Sequence, residues 1–316
     1  MDFRAHIRYL AQDKQRILEI GPSYNPILPK KDGFKVFVVD HATQDELVAK
    51  YQAYGVADTS SIEQVDFVTI DLSTLQGEEK FDLIVASHLI EHTPDLIKFV
   101  KDCSSLLTDT GTLALLVPDK RYCFDALRPL TSPGAVIDAH LHHQTRHVGG
   151  LLDHYSYFVR NNGQMAWGSQ EPLALETIHS AEICKDALEK CLSSDGYMDA
   201  HKWVFTPSSF RFLIQELYDY HLIDMRIDQS HDTLGFEFFA TLNRQSTHAP
   251  EDKLVLLQTI QQEETLTTPL ARIIQKAADT LGIQASSIEE AAEHVVRHAL
   301  QSRESPKIEL TDSATP

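Results

Sequence analysis

Five short apolar runs within the first 120 residues constrain this chain most. Arg16–Ile20 closes at Gly21, Phe34–Val39 at Asp40, Val65–Ile70 at Asp71, and Thr112–Val117 at Pro118; Phe81–Ala86 is the fourth of the five in order. All are rich in Val, Ile and Leu and lack strict polar alternation, the pattern of strands buried on both faces of a parallel sheet. Helical patterns separate them. Between the fourth and fifth runs, Thr93 is expected to cap a helix, Pro94 to occupy its first turn and Asp95 to favour its dipole, with Leu96, Ile97, Val100, Cys103 and Leu107 on one apolar face. Strand–helix alternation of this kind predicts a doubly wound α/β sheet.

Residues 119–205 break the rhythm and are too long for a plain connection. They read as a partly helical cap inserted after strand five. A capped helix resumes at Thr206–Pro207, with Phe210, Leu213, Ile214 and Leu217 on one face. Leu222–Ile227 and Phe236–Leu242 then read as two strands paired antiparallel, which makes a seven-stranded, mostly parallel, Rossmann-like sheet with an antiparallel final strand. Beyond residue 245 the sheet-like runs stop. Thr268–Pro269 opens a helix striped by Leu270, Ile273, Ile274, Ala277, Ala278 and Leu281. Ser287 and Glu290 form a capping-box pattern before a second stripe of Ile288, Ala291, Ala292, Val295, Val296 and Ala299. The expected domains are 1–245 and a helical extension, 246–316. The stripes would cover each other or the sheet domain, or join a homodimer. The last dozen residues read as disordered.

Charge narrows the partners. With 28 basic and 46 acidic residues the net charge is −18, which disfavours nucleic acid and anionic membranes. The four cysteines (Cys103, Cys123, Cys184 and Cys191) form no C-x-x-C pair, the N-terminus is too polar for a signal peptide, and no apolar run approaches the ~18 residues of a membrane span. A soluble cytoplasmic protein is expected.

The loop after the first strand reads Glu19-Ile20-Gly21-Pro22-Ser23-Tyr24-Asn25-Pro26. A glycine there permits a tight turn and close ligand approach. Asp40 stands 19 residues later at the end of strand two, where an acid binds ribose hydroxyls in doubly wound folds. The second and third glycines of the dinucleotide fingerprint are missing, so a nucleoside without a pyrophosphate fits better.

These pieces together (EIGPSYNP, VVDH, TIDL, FDLIVASHLIEHTPD and GTLALLVPDKRY) resemble the class I S-adenosylmethionine-dependent methyltransferases over roughly residues 14–120 and 206–244. The resemblance implies that Glu19 and Gly21 floor the methionine and sulfonium site, that Asp40 binds the ribose, that Asp71 and Leu72 meet the adenine, and that Ser87 and His88 flank the cofactor. Pro22 and His41 complete the implied cofactor set. Pro22, Tyr24 and Asn25 stand where many members have further glycines. VPDKRYCFDALRPLTSPGAVIDAHL looks like a bacterial subgroup associated with glycan and secondary-metabolite modification.

His88-Leu-Ile-Glu91-His92 matches the inverzincin pattern H-x-x-E-H. That chemistry needs a helix, and here the string falls between a strand end and a helix start, so peptidase chemistry is set aside. Some related RNA and quinone-pathway O-methyltransferases hold a divalent ion with E-x-x-E-H at this place. His88 replaces the first Glu, hydrogen bonding within the loop is the favoured reading, and no residue is assigned as a metal ligand.

His140, His142, His143, His147 and His154 crowd the insert without zinc-module spacing. Their position beyond strand five suits an acceptor-site wall, and a histidine near neutral pH suits a general base. The candidate catalytic residues are therefore His88, Asp119, Tyr122, His140 and His143, with Arg121 able to grip an anionic group. The expected activity is transfer of a methyl group from S-adenosylmethionine, leaving S-adenosylhomocysteine, to oxygen of a small-molecule acceptor. The alternatives are cofactor binding without turnover and a nicotinamide-dependent oxidoreductase.

Overall fold

The computed structural model describes residues 2–169, 171–194, 196–265, 269–285 and 287–303. It begins with a helix absent from the sequence expectations, α1 (Phe3–Ala11), capped by the Asp2 carboxylate and burying Phe3, Ile7 and Ala11. There follow β1 (Ile17–Ile20), β2 (Val36–Asp40), α2 (Gln44–Ala53), β3 (Phe67–Val68), β4 (Phe81–Ser87), α3 (Leu96–Leu106) and β5 (Leu107–Pro118). The insert holds α4 (Pro133–Leu141), α5 (Val148–Tyr157), the hairpin β6 (Val159–Asn161) and β7 (Leu175–Thr177), and α6 (Ala181–Leu192). The sheet is completed after α7 (Pro207–Asp219) by β8 (Arg226–Leu234) and β9 (Glu237–Asn243).

The strand order is β3-β2-β1-β4-β5-β9-β8. β1 pairs in parallel with both β2 and β4, and β9 runs antiparallel to β5. This is the expected mostly parallel, seven-stranded sheet with an antiparallel final strand. Successive strand residues feed opposite layers. Leu18, Ile84 and Leu115 pack with Ile97 and Val100 of α3 and Phe210 and Leu213 of α7. Ile17, Leu83, Val85 and Leu116 pack with Phe3 and Ile7 of α1. Both faces are covered, which is why the central strands show no polar alternation.

Four local expectations are corrected. The third strand is only Phe67–Val68, because it is the sheet edge and the Asp66 carboxylate takes the Val38 N–H at 2.7 Å in place of further ladder pairing. The cap of α3 is Asp95, which accepts the Lys98 N–H at 2.9 Å. Thr93 instead donates its hydroxyl to the Ile90 carbonyl at 2.8 Å, and Pro94 lies before the helix. Leu222–Met225 is not strand, and the polar stretch 228–234, read as a turn region, is. An edge strand with one wet face carries little apolar signal, and the turn is reduced to Gly235 and Phe236, with Gly235 at φ +68°. Finally, β5 begins at Leu107, five residues earlier than Thr112.

The chain divides into two compact units, Met1–Leu257 and Gln258–Pro316. α8 (Lys253–Thr265) begins in the first. In the second, α9 (Pro269–Thr280) and α10 (Ile288–Arg303) pack together, burying Ala278 and Ala291. The Ser287 hydroxyl accepts the Glu290 N–H at 3.2 Å, the N-cap bond of the expected capping box. Thr268 and the last dozen residues lie outside the described residues. Among the described residues no helix is long and apolar enough to cross a membrane.

Candidate active site

The chain leaves β1 toward β2 on one side and returns to β4 on the other, so a crevice opens beyond their carboxyl ends. Ile20 is registered between Val39 and Ala86, which makes Gly21, Asp40 and Ser87 neighbours at one edge. Gly21 has φ +61° and donates its N–H to the Val39 carbonyl at 2.8 Å. A Cβ built on it would meet Leu89 Cδ1 at 2.9 Å, so the backbone turns here with no side chain in the way.

The loop that follows is clamped from three sides. Buried Glu19 accepts the Ile27 N–H at 2.6 Å and the Leu28 N–H at 3.1 Å. Burial raises its pKa above the ordinary carboxyl value, against the pull of those two amides. Arg4 of α1 donates to the Asn25 carbonyl and the Pro26 carbonyl, each at 2.9 Å. Tyr51 of α2 donates to the Ser23 hydroxyl at 2.7 Å. Glu19, implied as part of the cofactor floor, thus spends both oxygens on shaping the loop. Pro22 sits half-buried in it.

Asp40 ends β2 almost fully buried. Its Oδ1 accepts the His41 N–H at 2.7 Å and lies 2.5 Å from His41 Nδ1. Its Oδ2 is buried and has no hydrogen-bond partner. A lone carboxylate oxygen left this way costs free energy unless a ligand donates to it. Asp71 caps the turn after β3, accepting from the Ser73 N–H at 3.2 Å and from Lys98 Nζ at 2.7 Å. The Lys98 bond first, then Ser73, holds its pKa below the ordinary value. Leu72 beside it is buried.

After β4, Ser87 is half-buried and His88 has φ +49°. His88 Nε2 lies 2.6 Å from Glu237 Oε2 at the start of β9. Burial alone would lower its pKa, but the Glu237 bond and the charges of Glu91 and Glu237 raise it overall.

The other four catalytic candidates are dispersed. Asp119 is fully buried, and its oxygens are taken by Arg121 Nε, both at 3.0 Å, and by Arg121 Nη2 at 2.6 Å. The pair is therefore a brace, with neither group presented to an acceptor. Tyr122 packs on Ala126, Val159 and Trp167. His140 Nδ1 lies 2.9 Å from Asp95 Oδ2, tying α4 to the start of α3. His143 is exposed past the end of α4 at φ +48°. His147 and His154 are buried enough that their pKa values fall to about 4 and about 3.

The structure instead assembles a group that the spacing did not reveal. Glu91, in a 3-10 turn over Ile90–His92, is fully buried, with both carboxylate oxygens unpartnered. His92 Nε2 lies 3.8 Å from its Oε1, and His201 Nε2 lies 3.9 Å from the same atom. His201 comes from the far end of the insert, where the Lys202 and Trp203 N–H groups donate to the Glu91 carbonyl at 2.8 and 3.0 Å. The E-H pair was visible in the sequence, whereas His201, 109 residues after His92, carried no local signal.

A family model described as a methyltransferase domain matches residues 2–173. The chain belongs to this methyltransferase family. The methyl donor of such enzymes is S-adenosylmethionine, and the nicotinamide-dependent alternative falls with the assignment. Among solved structures, this methyltransferase is similar to the CcbJ methyltransferase from Streptomyces caelestis (12% identity, covering 76% of this chain and 87% of that one, TM-score 0.40). It is also similar to an S-adenosylmethionine-dependent methyltransferase from Clostridium acetobutylicum ATCC 824 (12% identity, 76% and 89% covered, TM-score 0.39). No curated protein matches it.

Proposed function

We propose that this methyltransferase moves the methyl group of S-adenosylmethionine to a hydroxyl oxygen of a small-molecule acceptor, a saccharide or a secondary metabolite. The observation that carries the cofactor placement is Asp40 Oδ2, buried and unpartnered beside the Gly21 turn. A ribose hydroxyl is the donor it fits. Asp71 and Leu72 are assigned to the adenine edge, and Ser87 to the flank after β4. The saccharide or metabolite class rests on the segment after strand five and its resemblance to glycan- and metabolite-modifying members.

Bound S-adenosylmethionine supplies an electrophilic methyl carbon on a sulfonium. In-line displacement breaks the sulfur–methyl bond, leaves its electron pair on sulfur as S-adenosylhomocysteine, and forms the oxygen–methyl bond. The hydroxyl proton then needs an acceptor. Of the five candidates, His88 follows a strand whose carboxyl end borders the crevice, and Glu237 at 2.6 Å orients its ring. We assign the base to His88 and a scaffolding role to Asp119, Tyr122 and His140, and leave the exposed His143 outside the mechanism.

The test is release of S-adenosylhomocysteine with a panel of mono- and oligosaccharides and hydroxylated aromatic metabolites. Turnover with one class is expected. His88→Gln should lower it at least a hundredfold, the lower end for a lost general base, with donor affinity unchanged within a few-fold. Donor binding with no turnover across the panel would favour the binding-only alternative. Full turnover in His88→Gln would remove His88 from the mechanism.

A further inference from the structure

We propose that Glu91, His92 and His201 bind one divalent first-row transition-metal ion, of the Zn2+ or Mn2+ type. Three side-chain ligand atoms, one from each residue, lie within 4.8 Å of one another. Geometry fixes which ring atoms converge. His92 Nδ1 is held 2.8 Å from Asp199 Oδ1, and His201 Nδ1 is held 2.5 Å from Asp125 Oδ2. Each carboxylate accepts the Nδ1 proton, which leaves both Nε2 lone pairs facing Glu91. Carboxylate–histidine pairs of this kind orient and strengthen imidazole ligands around metals.

The charge balance leads to the same place. Glu91 is 0% exposed, and neither oxygen receives a hydrogen bond. A buried unpaired carboxylate is costly and is met in proteins by a cation or a proton. The two imidazoles stand at 3.8 and 3.9 Å, too far to donate a hydrogen bond to it. An ion with metal–nitrogen and metal–oxygen distances of about 2.0–2.2 Å keeps its ligand atoms roughly 3–3.5 Å apart. The two Glu91–histidine distances need to close by only a few tenths of an ångström, and the two ring nitrogens, within 4.8 Å of each other, by no more than about 1.5 Å. His88 Nδ1 also lies 3.8 Å from Glu91 Oε1, but the ligand atoms that converge on one point are those of Glu91, His92 and His201.

Donor chemistry selects the ion. Two imidazoles and one carboxylate suit zinc, manganese or iron, whereas Mg2+ and Ca2+ prefer oxygen ligands. Three protein ligands leave coordination positions for an oxygen donor, as catalytic sites do and closed structural sites do not. The inference stands apart from the donor-site reading, since none of these residues is assigned to the S-adenosylmethionine crevice.

The test strips the full chain with a chelator and titrates it with Zn2+, and separately with Mg2+, by calorimetry. One Zn2+ per chain is expected, with no Mg2+ binding at matched concentration. Glu91→Gln and His201→Asn should each weaken Zn2+ at least a hundredfold, and Asp199→Asn roughly tenfold, through loss of the bond that orients His92. Asp199 is exposed, so that variant stays informative if a buried substitution fails to fold. S-adenosylmethionine titration of the same variants reports folding and the donor site separately. A Co2+ spectrum of the wild-type chain locates the ion, because a thiolate charge-transfer band would place it on a cysteine and overturn the proposal. Absence of stoichiometric Zn2+ binding, or wild-type affinity in folded Glu91→Gln and His201→Asn, would overturn it equally.

Discussion

Gly21 adopts a left-handed backbone at φ +61°, and an added methyl would press on Leu89 Cδ1 at 2.9 Å. The left-handed region costs a non-glycine residue about 1–2 kcal/mol. Gly21→Ala should lower unfolding stability by about that much in denaturant titrations and weaken S-adenosylmethionine at least tenfold. Unchanged values for both would mean that the loop tolerates another path. His147 offers a second residue-level prediction. Burial first, then the Lys202 charge, lowers its pKa to about 4, below the ordinary value of 6.5. Between pH 6.5 and 4 the unfolded chain therefore binds the proton that the folded chain refuses, so stability falls as pH falls through this window. The expected loss from this group is up to about 3 kcal/mol. His147→Leu should flatten the acid limb of a melting-temperature profile; an unchanged slope would contradict the assignment.

Among the elements, α3 shows what spacing can and cannot tell. Its apolar face was legible from Leu96, Ile97, Val100 and Cys103, which are all buried. Its start was not, because Thr93 and Asp95 are both competent caps and only the Lys98 N–H bond decides between them. Asp95 also holds His140, so it joins α4 to α3. Asp95→Ala should cost about 1–2 kcal/mol in chemical denaturation, near the upper end for a lost cap because a second bond goes with it. A cost no larger than that of Thr93→Ala would mean that Asp95 is not the cap. The central strands were legible because both faces are buried. β8 was not, since it lies at the edge and its residues 228–234 look like a loop. The site follows the same division. Gly21 and Asp40 lie at strand ends, whose places the pattern sets. His201 reaches Glu91 only through the folded insert.

For the whole molecule, the boundary between compact units after Leu257 makes truncation informative. Glu251 bonds Arg211 at 2.8 Å, Lys253 bonds Glu216 at 2.7 Å, and Leu256 is buried. A chain ending at Leu257 should therefore melt within a few degrees of the first unit's transition in the full chain and still bind S-adenosylmethionine. One ending at Arg244 loses these ties and should melt lower. Equal melting of the two would show that residues 245–257 add nothing to the first unit. Light scattering on the full chain and the Leu257 form checks the homodimer reading: a fall from two subunits to one supports it, and one subunit in both removes it. The central claim is that the crevice beyond β1, β2 and β4 holds S-adenosylmethionine through Asp40. Calorimetric titration of S-adenosylmethionine into the wild-type chain and Asp40→Ala tests it most directly. The account predicts one equivalent bound by the wild type and at least a tenfold weaker constant in the variant, or about 1.4 kcal/mol. Equal affinity in the two proteins would contradict it.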